Sequence, residues 1–125
     1  MIQLTPEQLA EIRVRVDRGI ALCDRERPGW LDHIDLDRLD LESTCRCILG
    51  QEFAEHPDTR HYDVYLIALY ELGVRSWKAP EYGFDAYSED DDVAAVEYAA
   101  LTAEWRRRII ARRETNALTP EATPC

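Results

Sequence analysis

The sequence predicts a mainly α-helical protein: a compact single domain of about four helices with a long ordered aromatic loop. Two long segments, at about residues 6–25 and 89–113, repeat apolar side chains at the spacing of a helix face. A third segment, at about 59–72, is apolar on nearly every side, which is typical of the buried centre of a domain. The length of 125 residues and the 46% hydrophobic content suit one domain with one core.

The first helix has a strong start signal. Thr5 is the predicted N-cap, since proline follows at the first helical position and Gln8 stands where a capping box requires it. The helix is expected to run to about residue 25, because Pro28 and Gly29 then make a turn. Its core-facing positions are Leu9, Ile12, Val16, Ile20 and Cys23.

The next stretch, residues 30–51, mixes apolar side chains with aspartates. Aspartate at every second or third position argues against a regular strand. We expect a short helical turn near Asp35 to Leu39, between ordered loops, and then a second helix over about 44–55 that Ser43 caps. Gly50 inside that helix costs about 1 kcal/mol relative to alanine. It therefore indicates either close helix packing at this position or a break in the helix.

The aromatic loop follows the third helix. Asp58 is predicted to cap that helix and Gly73 to end it. Residues 74–88 then form the longest irregular segment and carry four aromatic side chains: Trp77, Tyr82, Phe84 and Tyr87. A loop this aromatic either packs on the body of the domain or binds something. The sequence leaves both alternatives open.

The last helix is predicted to start at Ser88 with an acidic first turn at 89–92, which is favourable at the positive end of a helix. Its apolar face is Val93 or Ala94, Glu97 or Tyr98, Leu101, Trp105 and Ile109. Arginines fill its last turns: Arg106, Arg107, Arg108, Arg112 and Arg113. We favour helix-dipole complementation and salt bridges for these arginines. The alternative is a phosphate or nucleotide site, because guanidinium forks match phosphate oxygens. Residues 1–114 are predicted to form the domain and 115–125 a flexible C-terminal tail.

Composition argues against several classes of function. A net charge of −10 makes direct nucleic-acid binding unlikely, since repulsion opposes phosphate contacts. No apolar run approaches the roughly 20 residues of a membrane span, and no signal peptide is recognisable. We therefore expect a cytoplasmic protein with reduced thiols and no membrane association.

Two clusters of side chains resemble metal sites. Cys45, Cys47, His56 and His61 include zinc-type ligands, but helical side chains two residues apart point about 200° away from each other. Buried cysteines and ordinary loop histidines are the favoured interpretation. The second cluster is acidic: Asp32, Asp35, Asp37 and Asp40, with His33. It does not fit a calcium loop, since Leu39 falls where an oxygen ligand is needed. Capping, or a solvated or partner-facing acidic surface, is favoured there, and no metal or other cofactor is predicted.

No catalytic motif is recognisable. The sequence has no Gly-rich phosphate loop, no G-x-S-x-G and no H-E-x-x-H. Three histidines in unrelated positions do not assign a general base. We therefore expect a protein that is not an enzyme.

The central stretch resembles a group of small, largely uncharacterised accessory proteins encoded by actinobacterial phages and prophages. The resemblance covers about residues 28–108. It rests on Trp30-x3-Ile34-Asp35, Leu39-Asp40-Leu41, Cys47-Ile48-Leu49-Gly50-Gln51, Tyr82-Gly83-Phe84 and Leu101-Thr102-x2-Trp105. It implies no catalytic residues. It does imply a setting, since small phage accessory proteins often bind a host protein, a defence component or a signal molecule.

We therefore expect a non-enzymatic, phage-derived accessory protein that binds and modulates a host or defence protein, in the cytoplasm of an infected or lysogenic bacterial host. The expected binding surface is the aromatic loop 77–87 with the acidic turn that contains Asp90 and Asp91, because aromatic anchors beside charge are typical of interface hot spots. Homo-oligomerisation stays open.

Two other classes of function remain as alternatives. A counter-defence protein that sequesters a nucleotide signal would use Arg106, Arg108 and Arg112 for phosphate and Trp77, Tyr82 or Phe84 for the base. That alternative predicts a pocket where arginines and aromatics converge. An acidic DNA mimic would instead present Asp35, Asp37, Asp40 and residues 89–92 on one face.

Overall fold

The computed structural model describes residues 2–118, which are mainly α-helical and contain no β-strand. The predicted fold class is confirmed, with four helical elements of seven residues or more. The α-helices are α1 (Pro6–Glu26), α2 (Trp30–His33), α3 (Ile48–Glu52), α4 (Val64–Leu72) and α5 (Asp91–Leu118). Two 3-10 helices lie between them, at Pro57–Arg60 and Ser76–Tyr82. None of the helices in residues 2–118 combines the length and apolar character that a bilayer-crossing span requires.

Helix α1 begins as the sequence predicts. The Gln8 backbone N–H donates to Thr5 Oγ1 at 3.1 Å, and the Thr5 N–H donates to Gln8 Oε1 at 2.8 Å, which completes the capping box. The predicted inward face is buried except at Leu9, which is exposed. The helix ends where the Arg27 N–H bonds to the Cys23 carbonyl at 2.8 Å.

The centre of the domain is aromatic and lies between α1, α5 and the second 3-10 helix. Trp105 is fully buried; its ring meets Trp30 edge-on at 5.9 Å and stacks on Phe84 at 5.8 Å between centroids. Trp105 Nε1–H donates to the Gly83 carbonyl at 2.7 Å, which removes the cost of burying the indole N–H. The prediction that helix 59–72 is the buried centre is wrong. Helix α4 covers one side of the core and leaves Leu66 and Tyr70 exposed.

The helices predicted at about 44–55 and 59–72 correspond to α3 and α4. Both are shorter than predicted, because local capping groups make them start later. Ser43 Oγ accepts the N–H groups of Cys45 and Arg46, so residues 43–46 form turns instead of helix. Helix α3 is capped by Cys47, whose Sγ accepts the Gly50 N–H at 3.3 Å. Asp63 caps α4, after a separate 3-10 helix at Pro57–Arg60.

Gly50 marks a close approach of the backbone, although not the close packing of two helices that was one of the two interpretations. A Cβ at this position would lie 2.2 Å from the Thr44 carbonyl oxygen and 2.8 Å from Cys45 Cα. The neighbour is the preceding turn and not a second helix. The predicted turn near Asp35 to Leu39 is also present, with the Arg38 N–H bonded to the Asp35 carbonyl at 3.2 Å.

Helix α5 differs from its prediction at both ends. It begins at Asp91, because Asp90 Oδ1 accepts the N–H groups of Asp92 and Val93 at 2.9 and 3.0 Å and thereby caps the helix. The predicted face of Leu101, Trp105 and Ile109 is fully buried. The helix continues to Leu118, into the segment from residue 115 that was predicted to be a flexible tail, and residues 119–125 lie outside the described part of the chain.

Candidate binding surfaces

The aromatic loop is fastened to the body of the domain by a buried arginine. Arg15 projects from α1, and its Nε donates to the Pro80 carbonyl at 2.7 Å. One terminal nitrogen, Nη2, donates to the Asp85 carbonyl at 2.7 Å, while Nη1 lies 2.9 Å from Glu97 Oε2. A single guanidinium therefore joins α1, the loop and α5. These bonds hold the loop as part of the folded core.

Glu97 completes this network from α5. It is almost fully buried, and its carboxylate accepts the N–H groups of Tyr87 at 2.7 Å and Ser88 at 3.2 Å. The Tyr87 ring lies over the Arg15 guanidinium at 4.5 Å, within cation–π distance. Both buried charges are thus paired and hydrogen-bonded, which is the condition for burying them.

The four predicted binding aromatics of the loop have different environments. Phe84 is buried in the core, and Tyr82 is half-buried and stacks on Phe84 at 6.2 Å between centroids. Tyr87 is exposed on one side and covers Arg15 on the other. Trp77 is 67% exposed, with Arg75 over its ring at 5.4 Å. The loop is therefore chiefly a core element, and Trp77 is its most exposed aromatic side chain.

The acidic turn is exposed, whereas most arginines of the α5 cluster have partners. Asp90 and Asp91 are both exposed, and Asp90 is the N-cap. Arg108 forms an ion pair with Asp17 of α1, and Arg112 forms one with Asp24 at 3.3 Å. Arg107 hydrogen-bonds to Glu104, and Arg113 hydrogen-bonds to backbone carbonyls. These contacts match the favoured salt-bridge interpretation of the cluster.

Arg106 has a different environment. It is half-buried and lines a groove of about 970 Å³ between α5 and residues 37–46. The groove also contains Arg38 and Arg46, together with Asp37 and Asp40, and no aromatic side chain. Arg106 therefore does not share this groove with the loop aromatics that the nucleotide alternative pairs it with.

Helix α4 exposes a row of large apolar side chains that the sequence reasoning placed in the core. Leu66 and Tyr70 are 56% and 83% exposed and lie four residues apart, on one face of the helix. Tyr62, immediately before the Asp63 cap, is 69% exposed. We call Tyr62, Leu66 and Tyr70 the α4 stripe. The sequence contained a signal for this exposure. A short helix that is apolar on all sides keeps exposed apolar surface unless other elements pack against every side of it.

The cysteine and histidine candidates do not form a metal site in residues 2–118, where no group of three or more His, Cys, Asp or Glu side chains is placed to hold a metal ion. Burial raises the pKa of the Cys47 thiol to about 11, whereas Cys45 is exposed. His56 Nδ1 accepts the Asp58 N–H at 3.1 Å and so caps the first 3-10 helix. His61 is exposed at the end of that helix.

The acidic cluster serves mainly as local turn structure. Asp35 Oδ1 accepts the Asp37 N–H at 3.0 Å, and Asp40 Oδ1 accepts the Glu42 N–H at 3.0 Å. Nearby, His33 Nδ1 lies 2.8 Å from Glu52 Oε1. The short side chains thereby supply acceptors to backbone N–H groups that no helix satisfies.

Two tyrosines lie close to Asp85 beneath the loop. The Tyr98 hydroxyl donates to Asp85 Oδ1, and the Tyr65 hydroxyl is buried without a hydrogen-bond partner within residues 2–118. Burial, reinforced by the negative charge of Asp85, raises the pKa of both phenols. Both rings therefore remain neutral at physiological pH and pack against the core.

No protein-family model matches this sequence, no curated protein is similar to it, and no solved structure matches its fold.

Proposed function

We propose that this is a non-enzymatic interaction protein that binds a partner protein through the α4 stripe and Trp77. The observation that supports this most directly is the exposure of four large apolar side chains: two on α4, Tyr62 just before it, and Trp77 in the 3-10 helix that follows it. Large aromatic and aliphatic groups exposed close together are typical of protein interaction sites. Tyrosine and tryptophan are also enriched among the residues that dominate binding energy.

The energetic argument concerns what these side chains gain on binding. Removing apolar surface from water stabilises a complex by roughly 25 cal/mol per Å². Leu66 and Tyr70 gain little of this on folding, because most of their surface stays in water. Covering them with a partner would recover it.

Helix α4 is also rigid enough to present the stripe. Its other faces are anchored in the core by Ala68, Leu69 and Leu72. Asp63 caps its start, and Gly73 ends it in the left-handed conformation with φ of 73°. A preformed surface loses less conformational entropy on binding than a mobile one does.

The class of partner comes from the resemblance to phage accessory proteins. We propose a host or defence protein in the cytoplasm of the bacterium. Relative to the surface expected from the sequence, the proposed one keeps Trp77 and moves from the acidic turn to α4. Phe84 and Tyr82 act as the packed support beneath the loop.

The test is affinity capture from a bacterial lysate with matched variants. The α4 variant carries Leu66→Ser and Tyr70→Ser, and the control carries Leu9→Ser and Val14→Ser, which remove exposed apolar side chains from α1. We expect a partner captured by the unmodified protein and by the control, and lost with the α4 variant. Titration with the purified partner should then show affinity at least about tenfold weaker for the α4 variant.

Two outcomes would overturn the proposal. One is capture of the same partner, with the same affinity, by the α4 variant. The other is self-association: if the unmodified protein sediments as a dimer and the α4 variant as a monomer, the stripe is a contact between copies of this chain.

A further inference from the structure

A second surface, the groove between α5 and residues 37–46, holds arginines that have no partner within residues 2–118. Nearly every other arginine of the described chain has a carboxylate, a carbonyl or an aromatic ring within reach, as Arg27 has Glu52 at 3.0 Å. The side chains of Arg38, Arg46 and Arg106 have no ion pair or hydrogen bond within residues 2–118, and all three line the groove of about 970 Å³. The chain carries a net charge of −10, so unpaired guanidiniums gathered in one place need an explanation.

The groove contains acids, but these do not neutralise the arginines. Asp37 and Asp40 line the same wall, yet neither lies within 4 Å of a guanidinium nitrogen of Arg38, Arg46 or Arg106. The N–H groups of the three guanidiniums make no hydrogen bond or ion pair within residues 2–118 and remain available to a ligand. Arg106 is half-buried, and partial removal from water strengthens its interaction with an incoming anion.

The two walls of the groove are tied together by hydrogen bonds. The Leu41 N–H donates to Thr102 Oγ1 at 2.9 Å, which joins the wall that carries Arg38 to α5. The Asp40 N–H donates to the Arg46 carbonyl at 3.2 Å, and the Gln51 amide donates to the same carbonyl at 2.9 Å. The backbones that carry the three arginines therefore keep a defined separation without a ligand.

The chemistry of the groove selects a class of ligand. Guanidiniums bind phosphate oxygens through two parallel hydrogen bonds, and three of them can serve more than one phosphate. The two aspartates repel any anion, so a ligand must gain from several guanidiniums to overcome them. The α5 wall supplies an uncharged strip of Ala99, Ala103 and Ile110 between the charges. This volume and charge pattern fit a small molecule with two or more linked phosphates better than a single phosphate.

We infer that the groove between α5 and residues 37–46 binds a polyphosphate-bearing small molecule through Arg38, Arg46 and Arg106. This inference does not depend on the α4 stripe. It places the anion site in a groove that the loop aromatics do not line, with the α5 strip facing the part of the ligand that is not phosphate.

The test uses tripolyphosphate as the probe, measured by calorimetry and by NMR shifts of backbone amides at low ionic strength. The groove variant carries Arg38→Gln and Arg46→Gln. The matched control carries Arg13→Gln and Arg60→Gln, which remove the same charge from exposed arginines that also have no partner but lie outside the groove. Circular dichroism and thermal unfolding of both variants should match the unmodified protein, since all four side chains are exposed.

We expect saturable binding to the unmodified protein, with shifts at Leu41 and Ala103. The groove variant should bind about tenfold more weakly, and the control less than about twofold. Arg106→Gln alone should also weaken binding. The inference fails if binding is not saturable, or if both double variants weaken it equally, which would indicate general charge attraction. It also fails if inorganic phosphate binds as tightly as tripolyphosphate.

Discussion

Arg15 and Glu97 form a buried ion pair, with 2.9 Å between Nη1 and Oε2, and this pair attaches the aromatic loop to the two long helices. Each member also binds loop backbone: Arg15 donates to two carbonyls and Glu97 accepts two N–H groups. Charged side chains therefore supply hydrogen bonds to the backbone of the loop, which is a 3-10 helix over Ser76–Tyr82 and irregular after it.

Removing one member of this pair should destabilise the protein strongly. Glu97→Gln leaves the Arg15 guanidinium buried without a counter-charge, and we expect the free energy of unfolding to fall by about 3–5 kcal/mol. Urea denaturation measures it. Glu26→Gln breaks the exposed Arg25–Glu26 pair and should cost less than about 1 kcal/mol. The double variant Arg15→Met, Glu97→Gln should recover part of the loss. Equal effects of Glu97→Gln and Glu26→Gln would contradict this account.

Gly19→Ala should destabilise α1, although alanine is the better helix former by about 1 kcal/mol. A Cβ at this position would lie 2.2 Å from the Tyr82 carbonyl oxygen and 2.7 Å from a ring carbon of Trp105. The loop would have to move off α1, and we expect a net loss of about 1–3 kcal/mol in thermal or urea unfolding. Ala10→Gly on the exposed side of α1 measures helix propensity alone. A gain of stability in Gly19→Ala would show that the loop does not approach α1 this closely.

Alkaline pH should destabilise the fold before the tyrosines ionise. Burial raises the pKa of Cys23 to about 12 and of Cys47 to about 11, against 9.0 for a free thiol. Between pH 9 and 11 the unfolded chain loses thiol protons that the folded chain retains. The free energy of unfolding therefore falls with rising pH, by at most about 1.4 kcal/mol per pH unit for each thiol.

Urea unfolding at a series of pH values from 8 to about 9.5 measures this slope, in a range where most ordinary tyrosines remain protonated. Cys23→Ala and Cys47→Ala lower stability at every pH, and each should also make the slope shallower. Cys45→Ala is the control, because this thiol is exposed and should leave the slope unchanged. If the slope is the same in all three variants, the buried thiols do not cause the pH dependence.

Neighbouring leucines of α4 should respond differently to truncation. Leu69→Ala removes a buried side chain and should cost about 2–5 kcal/mol, whereas Leu66→Ala should change stability by about 0.5 kcal/mol or less. Urea denaturation of the two variants distinguishes the faces of the helix. Similar losses for both would mean that the α4 stripe is covered in solution, and the surface on which the proposed function rests would not be free.

Much of the fold could be predicted, because the relevant signals act over a few residues. The Thr5 capping box and the buried row of Leu101, Trp105 and Ile109 are periodic or near-neighbour patterns. The errors in the predicted helix starts also arise from signals that act over a few residues. Ser43, Asp63 and Asp90 all cap turns or helices, but several competing caps were present and the sequence does not rank them.

The candidate surfaces could be predicted only in part. Salt bridges were correctly predicted for three of the five α5 arginines, Arg107, Arg108 and Arg112, although the sequence did not say which acids they meet. The loop was correctly seen as ordered and aromatic, yet Phe84 is core and Trp77 is exposed. The α4 stripe was assigned to the interior, and the grouping of Arg106 with Arg38 and Arg46 was not foreseen.

The sequence by itself determined the helical class, the capping box of α1 and the inward face of α5, because hydrogen bonds and side-chain spacing within four residues specify them. The tertiary structure alone decided which apolar surface stays exposed and which charges find partners. Arg108 meets Asp17 across 91 positions of sequence, and Arg15 meets the loop only when α1 and α5 pack together. Such pairings depend on how the elements are arranged in space, and patterns between near neighbours in the sequence do not specify that arrangement.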